Sequence, residues 1–373
     1  MRTARQVPGF RERGARPPLI SEGALMPKTF NGLWDDFVSF ENLYRAYATA
    51  RSGGHREDAQ VMWFTRNLET NLINIQNHLM WGTWKPSPVN AFIVYEPKKR
   101  LIQAPAFVDR IVHHAFDQVA GHLFEKKMVN QTYACLEDRG PLKAVLQMQE
   151  YIQSYPQGQR LYAIKGDVHH FFPSINHDFL KRQIRRTISD KRLLDVSDLI
   201  IDQNEKDEGL YIGSLPSQLF AGVTLTPFDH HMKDDLGIKH YVRYMDDFII
   251  ISDNLTYLRE LLKDAERQLN SAGLQINPKS KVIPITHGID FCGYRTFNDH
   301  LLPRKRNVKN ARRRILHLID EYDNGNVELE KVRASIMSFL GYVSHCSAYR
   351  TTERLLGEAL ISARPFVNAK EIV

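Results

Sequence analysis

The chain has 373 residues, with 50 Lys and Arg against 43 Asp and Glu, a formal net charge of +7 and a pI near 9.1. That length predicts two or three subdomains over a sizeable core, and 43% hydrophobic with 25% charged residues is ordinary for a soluble globular protein with a basic, polyanion-seeking balance. No apolar stretch is long enough to cross a bilayer, the N-terminus lacks the apolar core of a secretory signal, and Cys135, Cys292 and Cys346 have no zinc-site spacing, so they read as buried thiols of a reducing cytoplasm.

Residues 1–26, rich in Arg, Pro and Gly, are expected to form a disordered basic tail, or to precede a true start at Met26. From Phe30 to Trp84 the apolar positions Leu43, Tyr44 and Tyr47, then Leu68, Leu72, Ile75 and Leu79, predict helices. After Pro86 and Pro88, residues 91–95 and 100–102 read as a hairpin with a basic tip carrying Lys98 and Lys99. Helical spacing returns at 109–124 and 142–152, and residues 27–160 are taken together as a first region of N-terminal helices with one hairpin.

A second region, 161–295, opens with a short apolar strand at 161–164 that ends at Asp167. Helices are expected at 176–188 and 215–233, with a polar loop at 202–209 between them. Residues 240–244 and 248–252 are rich in β-branched and aromatic side chains and read as a hairpin around Asp246-Asp247; an amphipathic helix at 255–272 then closes on Gly273. Past Phe291-Cys292-Gly293-Tyr294, Lys and Arg dominate 304–314, and helical spacing at 308–319 and 329–356 predicts a small helical unit over 296–373.

Transfer of a phosphoryl group to a hydroxyl is served by hard divalent cations, which take oxygen ligands and need only two or three convergent carboxylates. Asp246 and Asp247, at a hairpin turn, can reach one side of a sheet edge, and Asp167 can complete the set. An Asp-Asp pair alone reads more readily as a solvated turn. Asp167, however, also follows a strand and precedes Phe171-Phe172, a bulky wall against which a sugar could pack, with Phe171 as the core member. The adjacent pairs His113-His114, His169-His170 and His230-His231 diverge on a helix or strand and read as partly exposed structural histidines.

Tyr244-Met245-Asp246-Asp247 resembles the signature turn of reverse transcriptases, and Asp167 with Phe172 resembles their first palm motif. The resemblance spans roughly residues 95–294 with its motifs in order. It implies an α+β right-hand polymerase fold, with fingers, a palm of antiparallel sheet plus helices that includes a fingers-side helical insertion, and a small helical thumb. It implies two Mg²⁺ ions, with Mn²⁺ as a substitute, held by Asp167, Asp246, Asp247 and the carbonyl of Val168. Phe172 resembles a gate against a ribose 2′-hydroxyl; Lys99, Arg100 and Arg110 resemble fingers cations on a triphosphate; Phe291, Gly293 and Tyr294 resemble a primer grip. The family's lysine near the leaving pyrophosphate falls at Ser280 when Asn277-Pro278 sets the register, so Lys279 or Lys281 is expected to substitute. Arg304, Lys305, Arg306, Arg312, Arg313 and Arg314 would follow a duplex backbone through charge, a solvated helix face being the alternative.

Most bacterial relatives carry Pro-Gln-Gly in the fourth motif, where this chain has Ile212-Gly213-Ser214-Leu215-Pro216-Ser217-Gln218. That pattern resembles the diversity-generating retroelement branch. The branch implies error-prone cDNA synthesis from a template-repeat RNA, with template RNA, a DNA primer, dNTPs and a small basic accessory protein as partners, no membrane, and a bacterial or phage-encoded cytoplasmic setting. Ile212 and Gln218 would lie near the templating base. Retron-like, group II-like and phage-defence reverse transcriptases, or a silent RNA-binding scaffold, stand as alternatives.

Overall fold

A computed structural model of the chain describes residues 29–52, 56–95, 99–204 and 206–363; the tail expected at 1–26 and Lys98 lie outside them. The first helices, α1 (Trp34–Val38), α2 (Phe40–Ala50), α3 (Ala59–Arg66) and α4 (Leu68–Met80), bury Phe37, Leu43, Tyr47, Phe64, Leu72, Ile75 and Leu79 in one cluster. They form because their apolar residues recur every three to four positions and Ser39 caps α2 by accepting from the Asn42 amide at 3.2 Å. The hairpin follows as β1 (Asn90–Val94) and β2 (Arg100–Ala104), antiparallel with Val94 opposite Arg100, and then α5 (Phe107–Glu125) packs along α2. Next comes α6 (Pro141–Gln153).

The central sheet is assembled from β3 (Tyr162–Gly166), which precedes helices α7 (His177–Arg185), α8 (Lys191–Ile201) and α9 (Leu215–His230), and from the hairpin β4 (Tyr241–Tyr244) and β5 (Asp247–Ser252). After α10 (Leu255–Ser271), β6 (Lys281–Pro284) completes it in the order β4-β5-β3-β6, all antiparallel. Both faces are covered. Ile164, Phe248 and Ile250 share a cluster with Phe228 of α9 and Leu258, Leu261, Ala265 and Leu269 of α10, while Ala163, Val242, Ile249 and Ile251 pack with Ala144, Val145 and Met148 of α6. Double burial explains why residues 248–251 are uninterruptedly apolar rather than alternating.

A second small sheet, β7 (Ile289–Phe291), β8 (Tyr294–Thr296) and β9 (Leu301–Pro303), leads into α11 (Lys305–Asp323), α12 (Leu329–Val343) and α13 (Tyr349–Ala363), which have their own core of Ile315, Ile319, Val332, Phe339 and Val343. Helices α1–α5 with the β1–β2 hairpin, then the antiparallel β3–β6 sheet, then helices α11–α13 follow the order of the right-hand polymerase fold. The expected elements are present, with differences. The region past residue 296 begins with strands, since β8 runs across 295 and β9 follows; the helical run read over 329–356 breaks between α12 and α13; α8 and β6 carry no expectation from sequence. Cys135 is exposed and Cys292 and Cys346 are only half-buried, so none of the three is the buried thiol expected, and His113 is fully buried rather than partly exposed.

Gly166 ends β3 directly before Asp167 and sits opposite Phe248, whose ring occupies the space a Cβ would need. Gly166→Ala is expected to lose about 1–3 kcal/mol through overpacking. Urea unfolding measures this, and Phe248→Leu in the same chain should recover part of the loss.

Candidate active site

The register of the central sheet brings three carboxylates to one edge. Gly166 pairs with Phe248, so Asp167 emerges from β3 beside Asp247, the first residue of β5, and Asp247 pairs back to Tyr244 across the turn. Met245 adopts the left-handed conformation at φ 52°, unusual for a residue with a side chain, and this tightens the turn that presents Asp246.

Asp167 is held from the far side by the segment after α10. The Asn277 side-chain amide donates to Asp167 Oδ2 at 2.6 Å, the Asn277 backbone N–H donates to the Asp167 carbonyl at 2.7 Å, and the Asp167 N–H donates to Ser280 Oγ at 3.0 Å. The His169 N–H to Gln275 carbonyl bond, 2.8 Å, completes this bridge, in which Val168 faces Ile276. The bridging bonds run from the residues flanking Val168, so its own carbonyl is not consumed by them.

Asp246 carries the electrostatic signature of the site. Burial, then the charges of Asp247 and Asp167, raise its carboxyl from 3.8 to about 7, and a hydrogen bond to Asp167 helps retain the proton. An all-oxygen, mutually repelling set fits hard divalent cations, which would relieve that repulsion; Asp167, Asp246, Asp247 and the Val168 carbonyl are the groups that would hold them. Among the described residues the potential ligands that lie within 4.8 Å of one another as a closed trio are His317, Asp320 and Glu321 on α11, not the palm carboxylates. A polymerase-type site does not need a closed trio, because such a cation keeps positions for substrate oxygens.

The other expected residues divide clearly. Phe171 is buried in the core and Phe172 half-buried beside it, ring centroids 5.7 Å apart, with the Phe172 carbonyl accepting from Leu210 N–H at 2.9 Å. Ile212 lies two residues further on, its carbonyl accepting from Gln103 N–H of β2 at 2.8 Å. Residues 209–213 therefore join the Phe172 segment to the hairpin bearing Lys99 and Arg100, both exposed. Gly213, at φ 118°, passes close to Ile102 and the Gln103 carbonyl, where a Cβ would be crowded. Gln218, at the start of α9, is exposed and accepts from the Cys135 thiol at 3.2 Å. Arg110 is not gathered with this group: its guanidinium donates to the Ala50 carbonyl at 2.8 Å and lies over the Phe107 ring, an anchor at the C-terminal end of α2.

Lys279 and Lys281 are both exposed, and the hydroxyl at Ser280, the position of the family's lysine, is spent on the Asp167 backbone. Phe291 and Tyr294 are buried and flank a two-residue hairpin turn in which Cys292 and Gly293 both have positive φ. Burial and the charge of Asp247 push the Cys292 thiol up, which places this turn beside the carboxylates. Tyr342 of α12 donates its hydroxyl to the Gly293 carbonyl, which also accepts from Arg304 N–H at 3.0 Å. Arg304, Lys305, Arg306, Arg312, Arg313 and Arg314 are all exposed, Arg314 donating to Ser335 Oγ at 3.0 Å. The sequence reading did not assign Asn277 a grip on Asp167, nor Tyr342 a bond to Gly293. The first was visible only as a register mark, and the second has no local signal because its partner is 49 residues away.

Residues 94–296 match the family profile described as reverse transcriptase (RNA-dependent DNA polymerase). Protein YkfC of Escherichia coli strain K12 is 22% identical over 274 residues, 61% of this chain and 71% of that protein. A protein ascribed to COX1/OXI3 intron 1 of Saccharomyces cerevisiae is 23% identical over 178 residues, 45% of this chain and 21% of that protein. Among solved structures, the apo telomerase of Candida tropicalis truncated from its C-terminal domain has a TM-score of 0.46 at 14% identity, covering 63% of this chain and 60% of that chain. The Candida albicans telomerase in complex with an RNA fragment has a TM-score of 0.48 at 13% identity, covering 76% and 55%. The chain thus spans about a fifth of the yeast intron protein and less than two thirds of either telomerase chain.

The raised Asp246 group sets a sign for stability in cation-free solution. Because the folded protein binds this proton more tightly than the unfolded chain, the stabilisation it brings is full below about pH 3.8 and is lost as pH rises through about 7. Asp246→Asn, which mimics the protonated form, is expected to melt higher than the parent at pH 8 in chelator and to converge with it near pH 4. Differential scanning calorimetry over that range checks it.

Proposed function

The chain belongs to the reverse transcriptase family of RNA-dependent DNA polymerases, and we propose that it copies a template-repeat RNA into error-prone cDNA for targeted sequence diversification. The observation that carries polymerase chemistry is the convergence of Asp167, Asp246 and Asp247 at one palm edge, with Asp246 raised by its two neighbours. The chemistry supplied by divalent cations bound there, Mg²⁺ in this reading with Mn²⁺ as a substitute, is acidification of a primer 3′-hydroxyl and neutralisation of charge on the transferred phosphate.

The chain's own residues do the rest. Asn277 and Ser280 fix Asp167; Asp246, raised by burial and its two neighbours, would with them be the group that holds the cations; Phe172 presents a half-buried ring where a 2′-hydroxyl would have to fit. Lys99 and Arg100 face solvent at the hairpin and take the triphosphate, Arg100 by bidentate contact. Lys279 or Lys281 stands near the leaving pyrophosphate, while Phe291, Gly293 and Tyr294 support the primer terminus and the exposed arginines of α11 track the duplex. A template RNA, a DNA primer and a small basic accessory protein are the partners of this reading, and a bacterial cytoplasm its setting.

Support for the diversifying branch comes from the Ile212–Gln218 segment, which departs from Pro-Gln-Gly. A second reading, an intron-associated reverse transcriptase, is favoured by the match to the yeast intron protein.

Template-directed extension with RNA, a DNA primer, dNTPs and Mg²⁺ is expected from the purified protein and abolished in Asp246→Asn; equal incorporation by both overturns the assignment. Replacing Ile212 with a polar residue is expected to change misincorporation opposite template adenine more than opposite the other bases. Uniform error rates before and after the substitution contradict the diversifying branch.

A further inference from the structure

Beneath the carboxylate turn lies a buried charged pair: the side chains of Arg243 and Asp229 are 2% and 0% exposed. Asp229, near the end of α9, uses both oxygens. Oδ1 accepts from Arg243 Nε at 2.7 Å and from the Tyr241 hydroxyl; Oδ2 accepts from Arg243 Nη2 at 2.5 Å and from Thr132 Oγ1 at 3.2 Å. The remaining guanidinium nitrogen, Nη1, donates to the carbonyl of Met245 at 2.7 Å. That carbonyl belongs to the left-handed residue directly before Asp246. The Arg243 backbone is also fixed, its N–H donating to the Gln131 carbonyl at 2.9 Å and its carbonyl accepting from Tyr133 N–H at 3.0 Å.

A planar fork that satisfies a carboxylate with two nitrogens and a peptide carbonyl with the third sets both distance and orientation, which an ammonium on a flexible stem does not. Resting on the reading of Asp167, Asp246 and Asp247 as the cation-binding set, we propose that Arg243, clamped by Asp229, is the positioning residue that holds the Met245–Asp246 peptide in its strained form. The anchor keeps Asp246 and Asp247 turned toward Asp167 before any cation binds. It touches no substrate and acts only through the turn. Because Asp229 and Gln218, which the proposed function puts near the templating base, lie on the same helix, α9, the anchor ties the carboxylate turn to that helix.

The test uses Arg243→Lys, which keeps the charge and removes the fork, compared with the parent and with Asp246→Asn. Mn²⁺ binding without nucleotide is followed by paramagnetic resonance, and amide hydrogen exchange is measured on cation-free protein. Arg243→Lys is expected to bind Mn²⁺ roughly 10–100-fold more weakly, as loss of an outer partner of a metal ligand does. Exchange should quicken at residues 244–248 while α10 keeps its protection. If Arg243→Lys does not fold, Tyr241→Phe, which removes one hydrogen bond to Asp229, is expected to shift both readouts in the same direction. Parent-like Mn²⁺ affinity and turn exchange in a folded variant overturn the proposal. If the parent itself shows no Mn²⁺ site that Asp246→Asn removes, the carboxylate reading fails instead, and the anchor with it.

Discussion

Asp167, Asp246 and Asp247 concentrate like charge at a partly buried sheet edge, where little water intervenes to screen the repulsion. An isolated turn with this composition would splay open or stay fully hydrated. Here burial and the charges of Asp247 and Asp167 raise the Asp246 carboxyl to about 7. The supports around the edge are best understood as offsets to that repulsion.

Two of them come from opposite sides. Asn277 and Ser280, on the loop between α10 and β6, take hold of Asp167 by side chain and backbone. On the other side the buried Arg243–Asp229 pair captures the Met245 carbonyl. A buried ion pair of this kind adds little net stability, yet removing one partner costs about 3–5 kcal/mol because it strands the other charge. Geometry, more than stability, is what such a pair supplies to the turn. Apolar packing on both faces of the sheet makes the frame stiff enough for these few polar contacts to define positions.

The fingers reach the same edge by backbone alone. Residues 209–213 bond to the Phe172 carbonyl on one side and to Gln103 of the hairpin on the other, so Ile212 sits between the Phe172 segment and β2. The turn at Cys292-Gly293 closes the opposite flank, held by Tyr342 from α12. The Phe172 segment, the Ile212 segment and the Cys292-Gly293 turn are thus each fixed by hydrogen bonds of their own around the carboxylate edge.

What the sequence by itself determined was whatever depends on neighbours along the chain. The 3.6-residue spacing in α2, α4 and α10, the β-branched and aromatic runs of β4 and β5 and the Tyr-Met-Asp-Asp signature could each be read locally, and they located the carboxylates. Family membership followed from the order of such local motifs. Only the tertiary structure decided which charges are partnered. Arg110 has the position of a fingers cation but is captured by Ala50 on a helix 60 residues earlier; Arg243 interrupts an apolar strand and becomes interpretable only when Asp229 is seen across from it; Ser280 stands where a lysine was expected and instead grips Asp167 across 113 residues. The physical reason is range. Periodicity and turn chemistry act over a few residues and leave their record in the sequence, whereas a hydrogen bond or ion pair between distant segments has no signature until packing removes the water between its partners.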